Sequence, residues 1–281
     1  MHVWANDPKR YPFPHPYKND FTYDGVHDAT VEMLIDDMDQ NGVTHCVLVQ
    51  VVFHGWDNSY IADCVRRYPK RLVAHGLIDP LDPNVAERLE YWVKEQGLVG
   101  MRVPPINYRA EDWGGGDAWL DSKEHDALWN KAAELDAVFN LFIAPEQLPR
   151  LQRMLDRHPD VKVCIDHVAA SLHKGQPPSG VENLLALERN PNVWVKVSEL
   201  AGSGDSYPYR ATYPNLKRVY EAFGPDRLLW GTGYPGSCRA AYRRPSLADE
   251  LRLIQREIPF LSEEDRAKIL GLNAAKIWKL G

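Results

Sequence analysis

Two histidines at the ends of apolar runs are the first residues in this chain whose chemistry needs an explanation. His2 precedes Val3 and Trp4, and His167 closes the run Cys164-Ile165-Asp166-His167. An imidazole so placed can bind a metal, move a proton or polarise a carbonyl. The plainer alternative is a hydrogen-bonded histidine that serves the fold. Arg102 sits inside Gly100-Met101-Arg102-Val103. A buried guanidinium without an anion is costly, so Arg102 is expected to point into a pocket mouth and meet a carboxylate, a substrate's or an internal one. Gln50, His54 and His75 are candidates for lining the same pocket as substrate-binding residues, although surface loops carry such side chains without function. In the stretch 194–200, Lys196 and Ser198 fall on one face of a strand and Glu199 on the other. The same alternation separates Asp166 from His167 and makes Asp166 a packing or supporting residue. His15, His27, His125, His158 and His173 read as surface residues.

Such residues need a scaffold that brings strand ends together. Short β-branched runs recur at 44–52, 71–78, 98–103, 138–144, 161–168, 193–200 and 227–232, each bounded by Pro, Gly, Asn or Asp. Buried parallel strands have this character. Residues 2–4 would add an eighth strand. Stretches of helical period lie between the runs. In 29–41, for instance, Val31, Leu34, Ile35 and Met38 share a face and Gly42 follows. Alternating strands and helices imply a parallel sheet covered by helices, and eight such units favour a closed (β/α)₈ barrel of the TIM type. The segment 262–280 is then an extra C-terminal helix, with Ser262 ahead of Glu263, Glu264 and Asp265 at its start. One barrel occupies about 250 residues, so a single domain spans 1–281. Two long loops, 6–28 and 107–124, follow strands and are placed at the C-terminal face, where barrel enzymes keep their active sites.

Composition narrows the function classes. The net charge of −6 argues against nucleic acid as a partner. Apolar runs are far shorter than a bilayer requires, which argues against a membrane partner. No charged-then-apolar leader opens the sequence, and Cys46, Cys64, Cys164 and Cys238 are scattered as buried reduced thiols would be. A cytoplasmic protein acting on a small molecule is expected, with homo-oligomerisation left open.

The pieces together resemble the amidohydrolase-related family. The resemblance rests on His2-Val3-Trp4, Gly100-Met101-Arg102, Ile165-Asp166-His167, Leu229-Trp230-Gly231-Thr232-Gly233-Tyr234-Pro235 and the terminal Leu272-Asn273-Ala274-Ala275-Lys276-Ile277-Trp278. Within the family the chain is similar to the lactonase branch of fuconolactonase and pyrone-dicarboxylate lactonase type. The resemblance implies a distorted (β/α)₈ barrel that hydrolyses a small, acidic lactone or similar ester. It implies that His2 and His167 polarise the carbonyl or hold a metal, and that Arg102 faces an acidic substrate. Two of the family's features are missing. The first-strand pattern D-x-H-x-H is present only from its second histidine, His2, and Met1 stands at the intervening position. The aspartate of the last-strand motif W-G-[ST]-D-x-P, the expected general base, is Gly233. With His2 and His167 the visible ligands, the expected cofactor is none or a weakly bound divalent metal such as zinc, since a catalytic zinc takes three protein ligands. Glu199 is the catalytic carboxylate left to activate water. The leading expectation is therefore a lactonase-like hydrolase with an incomplete site. The alternatives are a catalytically silent ligand-binding barrel and a metal-dependent decarboxylase of the same fold.

Overall fold

The computed structural model describes residues 1–5, 7, 9–11, 27–103 and 117–280. Of the two long loops expected at the mouth, residues 12–26 and 104–116 lie outside the described residues. The β-branched runs form seven strands: β1 (Cys46–Val49), β2 (Leu72–Leu77), β3 (Gly100–Val103), β4 (Val138–Leu141), β5 (Lys162–Ile165), β6 (Val193–Val197) and β7 (Leu228–Trp230). They lie in chain order in one curled parallel sheet. The strands are shorter than the runs that announce them. The run 44–52, for example, gives four strand residues and then turns into the 3₁₀ segment Val52–His54.

Helices cover the outer face, and their apolar stripes are what attaches them. Helix Val31–Gln40 starts where the Thr30 side chain accepts the Met33 N–H, and it buries Val31, Leu34 and Met38. The cross-strand register puts Val49, His75, Gly100 and Val138 side by side at one level. Arg102, Asn140, Cys164 and Trp194 are side by side at another. These residues share one face of the sheet, and Val138, Cys164 and Leu229 pack there with Ile277 and Trp278 from the C-terminal helix. The expected single helix over 262–280 is three consecutive segments: Glu263–Ala267, a π turn Lys268–Leu272, and Asn273–Trp278. Its start is as expected, with Ser262 and Asp265 capping each other.

The expected strand 2–4 takes a different form. Residues 1 and 2 bridge the two edges of the sheet. The Met1 nitrogen donates to Val47 O (3.2 Å), Val49 N–H donates to Met1 O (2.9 Å), and His2 N–H donates to Gly233 O (3.0 Å). From there the chain turns away. Trp4 forms an isolated antiparallel bridge with Ala29, its indole N–H reaches His27 O at 2.8 Å, and its ring packs on Phe53 and Tyr234. Burial of the indole fixes this departure. Among the described residues no helix is long and apolar enough to cross a membrane. All four cysteines are buried and free.

Two predictions follow from packing on the inner face. A Cβ at Gly100 would lie 1.9 Å from Val138 O, so the close approach of β3 and β4 depends on glycine there. Gly100→Ala is expected to lower the unfolding free energy by about 3 kcal/mol, measured by urea titration, the upper end of ordinary overpacking costs. His75 lies fully buried with its ring 5.5 Å from the Trp278 ring, and burial, helped by the Lys196 charge, pushes its pKa down to about 3. An imidazole depressed in the folded state contributes stability above its unfolded value, near 6.5. That contribution is lost as pH falls toward 3. Stability should therefore drop by a few kcal/mol between about pH 6.5 and 3, and His75→Phe should flatten that slope.

Candidate active site

The inner face carries a buried charge cluster at the C-terminal ends of β3 to β6. Asp166, which follows β5, is at its centre. Lys196 Nζ lies 2.8 Å from one carboxylate oxygen, and Asn140 donates to the other at 2.6 Å. Lys196 also donates to the Asn140 side-chain oxygen. Arg102 approaches Asp166 at 3.6 Å and lies over the Phe142 ring. Burial works to raise the Asp166 pKa, but Lys196, His167 and Arg102 outweigh it and hold the carboxyl well below the usual carboxylate range. Two cationic side chains face one carboxylate, so the cluster carries an excess positive charge in a desolvated place.

Of the two expected roles for Asp166, packing or supporting, its partners fit the supporting one. Alternation places Asp166 on the inner face with Cys164, whose neighbour across the sheet is Asn140. His167 is not thereby sent outward, because alternation stops there. His167, Val168, Ala169 and Ala170 all have φ between 53° and 54°, a left-handed turn made without glycine. Each such residue costs roughly 1–2 kcal/mol. The turn brings His167 Nδ1 to 2.8 Å from Ser198 Oγ and sets its ring edge-on to Phe142. Burial pushes the His167 pKa down to about 4. His2 is held by its ring Nδ1, 2.7 Å from Val49 O, and burial and the Arg102 charge push its pKa well below 6.5. Both imidazoles are therefore neutral near pH 7.

The expected residues are only partly brought together. His2, Asp166, His167, Lys196 and Ser198 line one cavity of about 560 Å³, which continues between the edges of β1 and β7 toward Leu34, Met38 and Leu251. That volume is ordinary for a small-ligand pocket. Arg102 joins the group through Asp166, and Gly233 through the His2 main chain. His75 lies on the inner face, between this cluster and Trp278. Gln50 and His54 are engaged elsewhere. The Gln50 amide donates to Asp57 O and accepts from Val51 N–H, and it is the Gln50 carbonyl that adjoins Arg102, at 3.5 Å. His54 is buried against Tyr60. The reading of surface histidines fails for His125, which is fully buried beside Trp119.

Glu199 also has a left-handed backbone, with φ 57° and ψ 29°. One carboxylate oxygen pairs with Arg244. The other, Oε1, lies 3.5 Å from where a Cβ on Gly233 would sit. A carboxylate from just after β6 thus reaches the space beside the glycine that follows β7.

A divalent metal does not fit these donors. Among the described residues no three His, Cys, Asp or Glu side chains converge. Asp166, the buried acid nearest the histidines, is engaged by Lys196, Asn140 and Arg102, and two cationic side chains facing the same volume repel a further cation. Sequence reasoning picks out Asn140 and Lys196 as polar strand-end residues but does not join them to Asp166. The available signal was Lys196 itself, since a lysine inside an apolar strand demands a buried partner.

Known proteins share this architecture. The chain is 30% identical to a 4-sulfomuconolactone hydrolase of Hydrogenophaga intermedia over 84% of its own length and 75% of that protein. It is 24% identical to an L-fucono-1,5-lactonase of Burkholderia ambifaria, over 86% of this chain and 82% of the relative. A solved amidohydrolase from Burkholderia multivorans with bound zinc superposes with a TM-score of 0.76 at 21% identity, covering 100% of this chain and 97% of that one, and so shares its fold. The family model described as Amidohydrolase matches residues 1–280, and the chain belongs to the amidohydrolase family.

Proposed function

We propose that this protein hydrolyses a small acidic lactone on a closed (β/α)₈ barrel in which residues 1 and 2 take the place of the eighth strand. The observation that carries the reading is that Lys196 and Asp166 line one cavity with two neutral imidazoles, while Arg102 behind Asp166 leaves the cluster with excess positive charge. A substrate carboxylate, or the oxyanion of an opening lactone, is the natural counter-charge. The lactone hydrolases among its relatives support the substrate class.

In this reading Arg102 holds the substrate carboxylate. His167, with Nδ1 turned to Ser198, presents Nε2 to the lactone carbonyl, and His2 flanks it. Lys196 stabilises the charge that develops on the carbonyl oxygen. Glu199 takes a proton from water, the hydroxide adds to the carbonyl carbon, the ring C–O bond breaks, and the leaving oxygen recovers the proton. A Burkholderia multivorans neighbour binds zinc, whereas among the described residues here no three His, Cys, Asp or Glu side chains converge. The buried free thiols support a reducing, cytoplasmic setting. The net charge of −6 favours a small molecule over nucleic acid as partner.

The test is turnover of a panel of lactones with and without a carboxylate substituent. Acidic lactones should be preferred, and binding without turnover would leave a silent barrel instead. Arg102→Met should raise KM by about 10²-fold with a smaller effect on kcat, since it removes substrate binding rather than chemistry. Glu199→Gln should lower kcat by about 10²–10⁴-fold. Elemental analysis of the purified protein should find well under one zinc per chain, and a chelator should leave the activity in place. A stoichiometric, activity-linked zinc would overturn this account of the donors.

A further inference from the structure

Behind Glu199 lies a second buried carboxylate that the reaction above does not use. Glu250, on helix Leu247–Arg252, has a side chain only 14% exposed. Its Oε2 accepts from the Thr232 hydroxyl and, at 3.0 Å, from Arg239. Arg239 also donates to the Thr232 oxygen at 2.8 Å, and Asp37 lies 3.8 Å from the same guanidinium. Thr232 immediately precedes Gly233, so this network adjoins the place where Glu199 reaches across.

Both acids line a small, partly open space of about 20 Å³, whose polar lining is Ser198, Glu199, Tyr209, Arg244 and Glu250 among apolar neighbours such as Leu200 and Leu253. A space of about 10–15 Å³ with two to four polar partners is enough for one water. Arg244 pairs with Glu199 Oε2 at the same place. We propose that Glu199 and Glu250 share a single proton through one water held in this space, with Glu250 storing the proton that Glu199 removes from the attacking water. The bookkeeping is neutral. The O–H of the attacking water breaks, its proton passes by way of Glu199 and the held water to Glu250, and it returns along the same path to the oxygen released when the ring opens. No oxidant or further reactant is needed.

The electrostatics agree with this geometry. Burial, opposed by Arg239 and Arg244 and aided by the Glu199 charge, pushes the Glu250 pKa up to about 7. Tyr209, from the segment before helix Tyr213–Phe223, faces the same space and is itself raised by burial and by Glu250. The groups around Glu250 are therefore Arg239, Arg244, Glu199, Tyr209 and Thr232, and Glu250 is the acid among them poised near neutrality.

The storage role rests on Glu199 being the base, whereas proton sharing can be measured without a substrate. The experiment is a ¹³C NMR pH titration of glutamate side-chain carboxyls in the full-length protein, with Glu250 assigned from Glu250→Gln. Glu250 is expected to titrate near pH 7, and Glu199→Gln should lower its midpoint by about one unit, the effect of removing a nearby like charge. A Glu250 midpoint in the ordinary carboxylate range, or one indifferent to Glu199→Gln, would overturn the proposal. Should Glu250→Gln not fold, Thr232→Val supplies the assignment by perturbing the resonance of its hydrogen-bond partner. With a lactone that is turned over, Glu250→Gln should remove the inflection near pH 7 from the kcat profile, and an unchanged inflection would overturn the storage role. If no lactone is turned over, the storage role falls with the hydrolase reading, while the titration still decides whether the proton is shared.

Discussion

The site depends on one buried carboxylate. Asp166 has been taken out of water, and the cost of that is several kcal/mol unless its charge is answered at close range. Lys196 from β6, Asn140 from β4 and Arg102 from β3 answer it together. Each partner comes from a different strand, so the cluster holds only while the register across β3, β4, β5 and β6 is kept. The register in turn needs Gly100, where the neighbouring backbone leaves no room for a side chain. Packing and charge are thus two descriptions of one constraint. The sheet is tight enough to force these groups together, and the groups are matched well enough to tolerate being forced.

Much of this architecture was legible in the sequence. All seven strands fall within β-branched runs, because a strand buried on both faces has to be continuously apolar. Arg102 does meet a carboxylate, and it is the internal one of Asp166, the alternative to a substrate's, since desolvating a guanidinium demands an anion. The identity of that carboxylate was not legible. Alternation was extended across Asp166 and His167, but the backbone turns left-handed at His167, and nothing in His-Val-Ala-Ala announces a conformation that glycine usually supplies. Gln50 at a strand end and His54 in the loop after it are candidates only by their place in a barrel, and the local structure uses them for hydrogen bonding and packing. His125 read as a surface residue because its neighbours in sequence are polar, while in space it meets Trp119.

Backbone strain collects around the chemistry. His167 to Ala170 and Glu199 hold left-handed conformations that non-glycine residues avoid, and both segments follow strands that end at the charge cluster. Strain of this kind persists where the surroundings over-determine it. Here the surroundings are identifiable: Ser198 and Phe142 fix the His167 ring, and Arg244 fixes the Glu199 carboxylate. Where the resemblance implies an aspartate this chain has Gly233, and Glu199, just after β6, places a carboxylate oxygen beside it.

The join between β1 and the stretch after β7 differs from every other join in the sheet. Elsewhere one strand is zipped to the next over three or more residue pairs, whereas here residues 1 and 2 span the gap with three main-chain hydrogen bonds, alongside a cavity that provides little packing. Cooperative structures open first where the fewest bonds hold them. Among the described residues this join has fewer main-chain hydrogen bonds than its neighbours in the sheet, and His2 sits on it. Movement at this join would carry the His2 imidazole that lines the cavity with it. A ligand that engages His2 would hold the join closed by mass action, which makes occupancy of the pocket a source of mechanical integrity for the whole sheet.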